Sequence, residues 1–189
     1  MKSTEILDAA LELFEERGYG GTPVPQVADR AGVAVGTIYR YFPGKEGLVN
    51  ALYRQWKRAF ADSIFAAATG PGLTARATFD RVWDALAAFA SAHPAAFAFL
   101  ETHSHGAYLD AESRKLTDHI DARLFALIGV WQAAGAVRTG DPALLLAQVF
   151  GGFVGVTRHL RNAGQPIPRE IGALTRPAAW AALSATSSD

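Results

Sequence analysis

Thr37, Tyr39, Arg40, Tyr41 and Lys45 fall within nine residues of one another. A hydroxyl, two phenols, a guanidinium and an ammonium have no paired base and nucleophile among them, so bond-breaking is not their chemistry. They are groups that hydrogen-bond to base edges and to phosphate oxygens. For the two tyrosines, packing in a core is the competing assignment. A second set, Glu101, His103, His105 and the more distant His119, raises metal binding. Residues two apart on a helix point to different sides, so His103 and His105 share no ion while that helix continues. Glu101 and His105, four apart, do fall on one side. A helix end or polar pocket positions explain these residues better, and no metal is expected. There is no nucleophile elbow, phosphate-binding glycine loop or paired-carboxylate pattern. No catalytic residue and no cofactor are expected, and the chain does not read as an enzyme.

Every long segment has helical periodicity, which makes the fold class all-α with about nine helices. Ile6, Ala9, Ala10, Leu13 and Phe14 form one apolar stripe, with Glu12, Glu15, Glu16 and Arg17 off it. Ser3 or Thr4 is the expected cap of this helix, and Gly18 with Gly20–Gly21 its end. A second short helix follows Thr22-Pro23-Val24-Pro25, with Pro25 at its first position, and runs to Gly32. A third spans about Val35–Phe42. Pro43-Gly44 breaks the chain before a fourth, near Lys45–Ala68. After Thr69-Gly70-Pro71-Gly72, helices are predicted at about Thr74–Ser91, Pro94–His105, Asp110–Ala136, Pro142–Ala163 and Arg169–Ser184, the last interrupted by Pro177. Thr186–Asp189 are expected to fray.

The chain has 189 residues, half of them apolar, with 18 basic and 18 acidic side chains and no cysteine. That is enough apolar material for a real core, and it excludes disulfides and thiolate metal sites. The zero net charge gives no general support for nucleic acid. From Arg40 to Phe60, however, five basic residues face one acid, Glu46, which allows a local basic face. The uncharged run Pro142–Thr157 is shorter than the roughly 20 residues of a membrane span. With no leader pattern either, a soluble cytoplasmic protein without a membrane partner is the expectation.

Two short helices joined by a glycine-containing turn describe a helix-turn-helix. Ala28 is small where the helices cross, and Gly32 suits a left-handed turn residue. Val24, Val27, Ala31, Val33 and Ile38 are spaced to close a small core, which leaves Val35, Gly36, Thr37, Tyr39, Arg40 and Tyr41 on the outer face of the third helix. The run "GYGGTPVPQVADRAGVAVGTIYRYFPGKEGLV" resembles the N-terminal signature of the tetracycline-repressor (TetR) family of bacterial regulators. The likeness rests on Leu13-Phe14, Gly18-Tyr19, Thr22, Val27-Ala28, Ala31-Gly32-Val33, Gly36-Thr37-Ile38-Tyr39, Tyr41-Phe42 and Lys45-Glu46 with Leu48. It implies a helix-turn-helix DNA-binding domain over residues 1–48 and a helical ligand-binding and dimerisation domain over 49–189. By the same resemblance Val35, Gly36, Thr37, Tyr39 and Arg40 face bases, while Thr22, Tyr41 and Lys45 contact phosphate. Pro23 and Gly44 stand where many members carry a hydroxyl and a capping Ser or Asn.

The C-terminal part is rich in aromatic residues, which are first of all core. If the resemblance extends this far, a pocket for a small, largely apolar effector lies among these helices, with Trp83, Phe97, Leu100, Glu101, His105, Phe125 and Phe153 as its lining. The helix near 143–160 carries Gly151, Gly152 and Gly155, each costing about 1 kcal/mol relative to alanine. Close approach of a second copy compensates for that, which puts Phe150, Gly151, Gly155, Trp180 and Leu183 at a homodimer interface. Packing within one subunit is the other explanation. The function implied is a homodimeric regulator, of the repressor type, released from a palindromic double-stranded operator by its effector. A DNA-binding dimer without an inducer is the first alternative, and a helical enzyme with an aromatic cavity the second.

Overall fold

The computed structural model describes residues 2–102 and 105–185. The described residues form nine helices: α1 (Lys2–Arg17), α2 (Val24–Arg30), α3 (Val35–Tyr41), α4 (Gly44–Ala67), α5 (Ala75–Ala92), α6 (Pro94–Thr102), α7 (Ala111–Ala133), α8 (Pro142–Asn162) and α9 (Ile171–Leu183). There is no strand among them, only an isolated bridge between Val137 and Ser184. Most ends fall within two residues of the glycine, proline and capping signals. Two differ. α1 already includes Ser3 and Thr4, so neither caps it. α2 opens one residue early, with Pro23 extended ahead of it and Pro25 inside its first turn. His103 and Thr186–Asp189 lie outside the described residues.

The chain divides into two compact bodies, Met1–Ala59 with Ala95–Leu116, and Phe60–Pro94 with Thr117–Asp189. In the first, α1 buries Ile6, Ala9, Ala10, Leu13 and Phe14, and α2 and α3 add Val24, Val27, Ala28 and Ile38. Arg30 on α2 reaches Glu12 on α1 at 2.7 Å, and Arg17 donates to Gln26 at 2.7 Å. These exposed pairs hold α2 in register while the apolar stripe supplies most of the stability. α4 adds Leu48, Val49 and Leu52, all fully buried.

One polar cluster ties α4 to the segment before α7. Asn50, 2% exposed, donates Nδ2 to the Tyr108 carbonyl (2.8 Å) and the Glu46 carbonyl (2.9 Å), and its Oδ1 accepts from the Asp110 N–H (2.9 Å). Arg54 donates to both Asp110 carboxylate oxygens and to Ser113 Oγ, at 2.8–3.0 Å. Asp110 also accepts from the Ser113 N–H at 2.8 Å, satisfying an orphan donor in the first turn of α7. Desolvation alone would raise the Asp110 pKa. The Ser113 N–H, the Arg54 guanidinium and the Ser113 hydroxyl outweigh it and hold the carboxyl at about 2.

In the second body α5 and α9 pack face to face. Trp83 Nε1 donates to Thr175 Oγ1 at 2.9 Å, and Arg176 grips Asp84 at 2.8 Å. The approach is close at Gly172, where a Cβ would stand 2.9 Å from Ala87 Cβ and 3.3 Å from an Asp84 oxygen. Neither helix can yield there without moving its backbone. Gly172→Ala is therefore expected to destabilise the protein by roughly 1–3 kcal/mol, as overpacked cores do. Urea denaturation measures it, and an unchanged midpoint would show that the α5–α9 contact has slack.

Candidate nucleic-acid interface

The turn between α2 and α3 is held by backbone alone. Val33 N–H reaches back to the Ala28 carbonyl at 3.0 Å, and Gly32, at φ +63°, supplies the left-handed residue that this return needs. Ala28 has no exposed surface, as the crossing of two short helices demands. α3 starts from extended Ala34 with no side-chain cap, and the Thr37 N–H bonds to the Ala34 carbonyl at 2.8 Å.

Of the seven residues of α3 only Ile38 is buried. Tyr39 (55%) and Tyr41 (44%) are exposed, which removes core packing as their role. Gly36 and Arg40 are also exposed, and Val35 and Thr37 half-buried. The Arg40 guanidinium lies 5.4 Å from the Tyr41 ring centroid. Phe42 closes the core beneath them at 8% exposure. Gly44 then enters α4 at φ +77°. A capping side chain there would be strained, which gives the missing Ser or Asn a backbone reason.

Lys45 follows, its Nζ 4.3 Å from the centroid of the Tyr19 ring. Partial burial there lowers its pKa. Tyr19 is shifted the other way, by burial first and by the charge of Glu46 second.

Thr22 departs from its expected role. It is completely buried, and its hydroxyl donates toward the carbonyls of Leu13 (3.0 Å) and Gly18 (2.9 Å). The Leu13 carbonyl lies in the last turns of α1 and that of Gly18 just past its end, where no helical N–H follows. Thr22 closes that helix from inside, so its side chain cannot reach a phosphate.

The residues expected to line a pocket fall in both bodies. In the second, Trp83 and Phe153 are buried and meet edge to face at 5.6 Å, with Phe125 half-buried. In the first, Phe97 and Leu100 are core, and Glu101 pairs with Lys57 at 3.5 Å. His105 is buried, its Nε2 2.6 Å from the Phe99 carbonyl and its Nδ1 2.7 Å from the Tyr108 hydroxyl. His105 is not helical, so it shares no helix face with Glu101. No cluster of three potential metal ligands exists among the described residues.

The expected interface residues also separate. Gly151 is exposed and Gly155 and Phe150 half-buried. Trp180 packs on Phe79 at 5.1 Å under the Arg76 guanidinium. Leu183, 2% exposed, belongs to its own subunit's interior, which removes it from any interface. The outward apolar residues are others: Leu144 (70%) and Val156 (41%) on α8, and Leu174 (70%) on α9. α8 also has the length and apolarity of a membrane span, with mean hydropathy 1.3 over its most apolar stretch, of which 22% is buried. The helix runs on past the uncharged stretch through Arg158 to Asn162, so run length alone does not set it apart from one.

An all-helical chain that ends its first three helices in an outward row of tyrosines and arginine defines a helix-turn-helix protein. Two family descriptions match it: "Bacterial regulatory proteins, tetR family" over residues 6–52 and "Tetracyclin repressor-like, C-terminal domain" over 59–185. The chain belongs to the tetR family. Among curated relatives, the HTH-type transcriptional repressor KstR2 of Rhodococcus jostii is 38% identical over 82 residues, covering 42% of this chain and 38% of the relative. The fatty acid metabolism regulator protein of Bacillus subtilis is 44% identical over 63 residues, 33% of this chain and 32% of the relative. The chain thus spans under two-fifths of the length of these relatives. Among solved structures, a putative tetR family transcription regulator from Shewanella sp. PV-4 has TM-score 0.81 at 27% identity, covering 98% of this chain and 99% of that one. The fatty acid degradation regulator FadR of Bacillus halodurans shares the fold, with TM-score 0.79 at 22% identity over 100% and 97%.

The residue beside Lys45 to which the sequence assigned no role is Tyr19. Its neighbours Gly18 and Thr22 drew attention to it as part of a pattern, but a half-buried tyrosine facing a lysine 26 positions on leaves no periodic trace.

Proposed function

We propose that the chain is a homodimeric DNA-binding transcriptional regulator of the repressor type, with α3 of each copy in a major groove of a palindromic operator. One observation carries this: α3 spends a single side chain, Ile38, on the core and turns Tyr39, Arg40 and Tyr41 outward. Arg40 has the fork that reads guanine edges, and Val35, Gly36, Thr37 and Tyr39 are short or hydroxyl-tipped neighbours for it. Tyr41, Lys45 and the backbone N–H groups at the start of α4 are suited to phosphate. The residues divide functionally as 1–48 for DNA and 49–189 for effector and partner, and such a protein works in the cytoplasm.

Dimerisation is supported by α8 and α9. A Cβ at Gly151, Gly152 or Gly155 would meet nothing within 4 Å, so packing inside the subunit gives no reason for these glycines. An outside backbone that approaches closely does. The outward Leu144, Val156 and Leu174 extend the same apolar surface, and a second copy covers it better than lipid in a regulator of this family. The effector is small and apolar. The relative named for fatty acid metabolism supports that.

The test is to enrich duplexes from a random-sequence pool with the full chain and measure binding to the winner. Arg40→Ala should cost about 1–3 kcal/mol and relax preference at one position of each half-site, and Lys45→Ala should weaken binding several-fold across sequences and reduce the salt slope by about 1. Failure to enrich any sequence would refute the regulator assignment.

A further inference from the structure

Tyr108 belongs to the segment between α6 and α7, far in sequence from the helix-turn-helix, yet its ring stacks on that of Tyr19. The centroids are 4.3 Å apart and the planes inclined by 22°. The same Tyr19 ring receives the Lys45 ammonium at 4.3 Å. Tyr108 is itself held at both ends. Its backbone carbonyl accepts from Asn50 at 2.8 Å, and its hydroxyl meets His105 Nδ1 at 2.7 Å. With Nε2–H donating to the Phe99 carbonyl, Nδ1 is left to accept from the phenol.

We infer that Tyr19 and Tyr108 are positioning residues for DNA binding: the stacked pair holds the Lys45 ammonium in place at the start of α4, so Tyr108 sets affinity without touching DNA. The inference rests on Lys45 being a phosphate contact. A lysine free in solvent has many rotamers and loses them on docking. One resting on an aromatic face has lost most of them beforehand, and the binding that follows is tighter for it. The ring face also leaves the N–H donors of the ammonium available, where a carboxylate partner would occupy them. Tyr108 matters because Tyr19 follows Gly18, at φ +68°, beyond the end of α1. Besides Phe14 at 6.1 Å, its other ring neighbour is the one the Asn50 cluster fixes.

The experiment uses the full chain and the enriched duplex, with fluorescence anisotropy over a salt series. Tyr108→Leu and Tyr19→Leu should each weaken binding about three- to tenfold and lower the salt slope toward that of Lys45→Ala. Tyr108→Phe, which keeps the ring and loses only the hydroxyl, should bind within about twofold of wild type. In a Lys45→Ala background Tyr108→Leu should add no further loss. Wild-type binding by Tyr108→Leu, or a loss that persists without Lys45, overturns the inference. So does tighter binding by Tyr19→Leu, since the ring would then be withholding the ammonium from DNA. If Lys45→Ala itself changes neither affinity nor slope, the phosphate assignment has failed, which is a separate result. A measurement on the unaltered protein covers variants that do not fold: the Lys45 ε-methylene protons should show an upfield ring-current shift, and their absence from that region overturns the stack as a holder of Lys45.

Discussion

Replacing Asn50 with alanine is expected to destabilise the protein by roughly 3 kcal/mol, lowering the thermal midpoint by about 10 °C. The side chain is 2% exposed and serves two donors' worth of carbonyls, at Tyr108 and Glu46, and one N–H, at Asp110. Alanine leaves the Tyr108 carbonyl and the Asp110 N–H without the partner they have, in a place water reaches poorly. Leaving a buried polar group unsatisfied costs about 1–3 kcal/mol each, which is large against a typical stability of about 5–15 kcal/mol. Asn50→Asp separates the two halves of the contact. It keeps an acceptor for Asp110 N–H but loses the donor, and it brings a charge close to the Asp110 carboxylate. Circular dichroism melts of the three proteins measure the effect. A shift below about 2 °C for Asn50→Ala would mean that the clamp is replaceable by solvent.

The second large effect concerns the apolar surface of α8 and α9. If the proposed homodimer forms through this surface, Leu144→Glu with Leu174→Glu should convert it to monomer, weakening association by more than about a hundredfold. Both positions are 70% exposed in the subunit, so the folded monomer tolerates the change within about 0.5 kcal/mol each. A carboxylate forced into an apolar interface, by contrast, costs several kcal/mol. Sedimentation velocity of wild type and variant reads the masses directly. Operator affinity should fall with the dimer, because a lone helix-turn-helix reaches only one half-site. A variant that stays dimeric would move the interface elsewhere on the subunit, and a monomeric wild type would refute the dimer.

The helices were legible because their signals are local. Apolar residues recur every three or four positions in α1, Pro43-Gly44 and Gly70-Pro71-Gly72 follow the ends of α3 and α4, and Asp141-Pro142 opens α8. The outer face of α3 was legible for the same reason, since one buried position, Ile38, fixes what its neighbours must do. Thr22 was misread because a hydroxyl beside a turn looks the same whether it meets phosphate or the carbonyls of Leu13 and Gly18. Burial decides between them, and burial depends on α1. Leu183 was misplaced on similar grounds: an apolar residue on a terminal helix does not say which side of the helix its own subunit occupies. Asn50 and Tyr108 escaped notice because their partnership spans 58 residues. An asparagine in mid-helix and a tyrosine in a loop each look ordinary alone.

A helix with one buried anchor and four exposed positions also has an evolutionary consequence. Side chains at Gly36, Tyr39, Arg40 and Tyr41 can change without disturbing the fold, because none of them is part of its packing. If α3 reads DNA as proposed, mutations there alter what the protein reads while leaving whether it folds to Ile38, Phe42 and the stripe on α1. Such a chain can acquire a new address by a few substitutions, and after gene duplication two copies can diverge in target long before they diverge in stability.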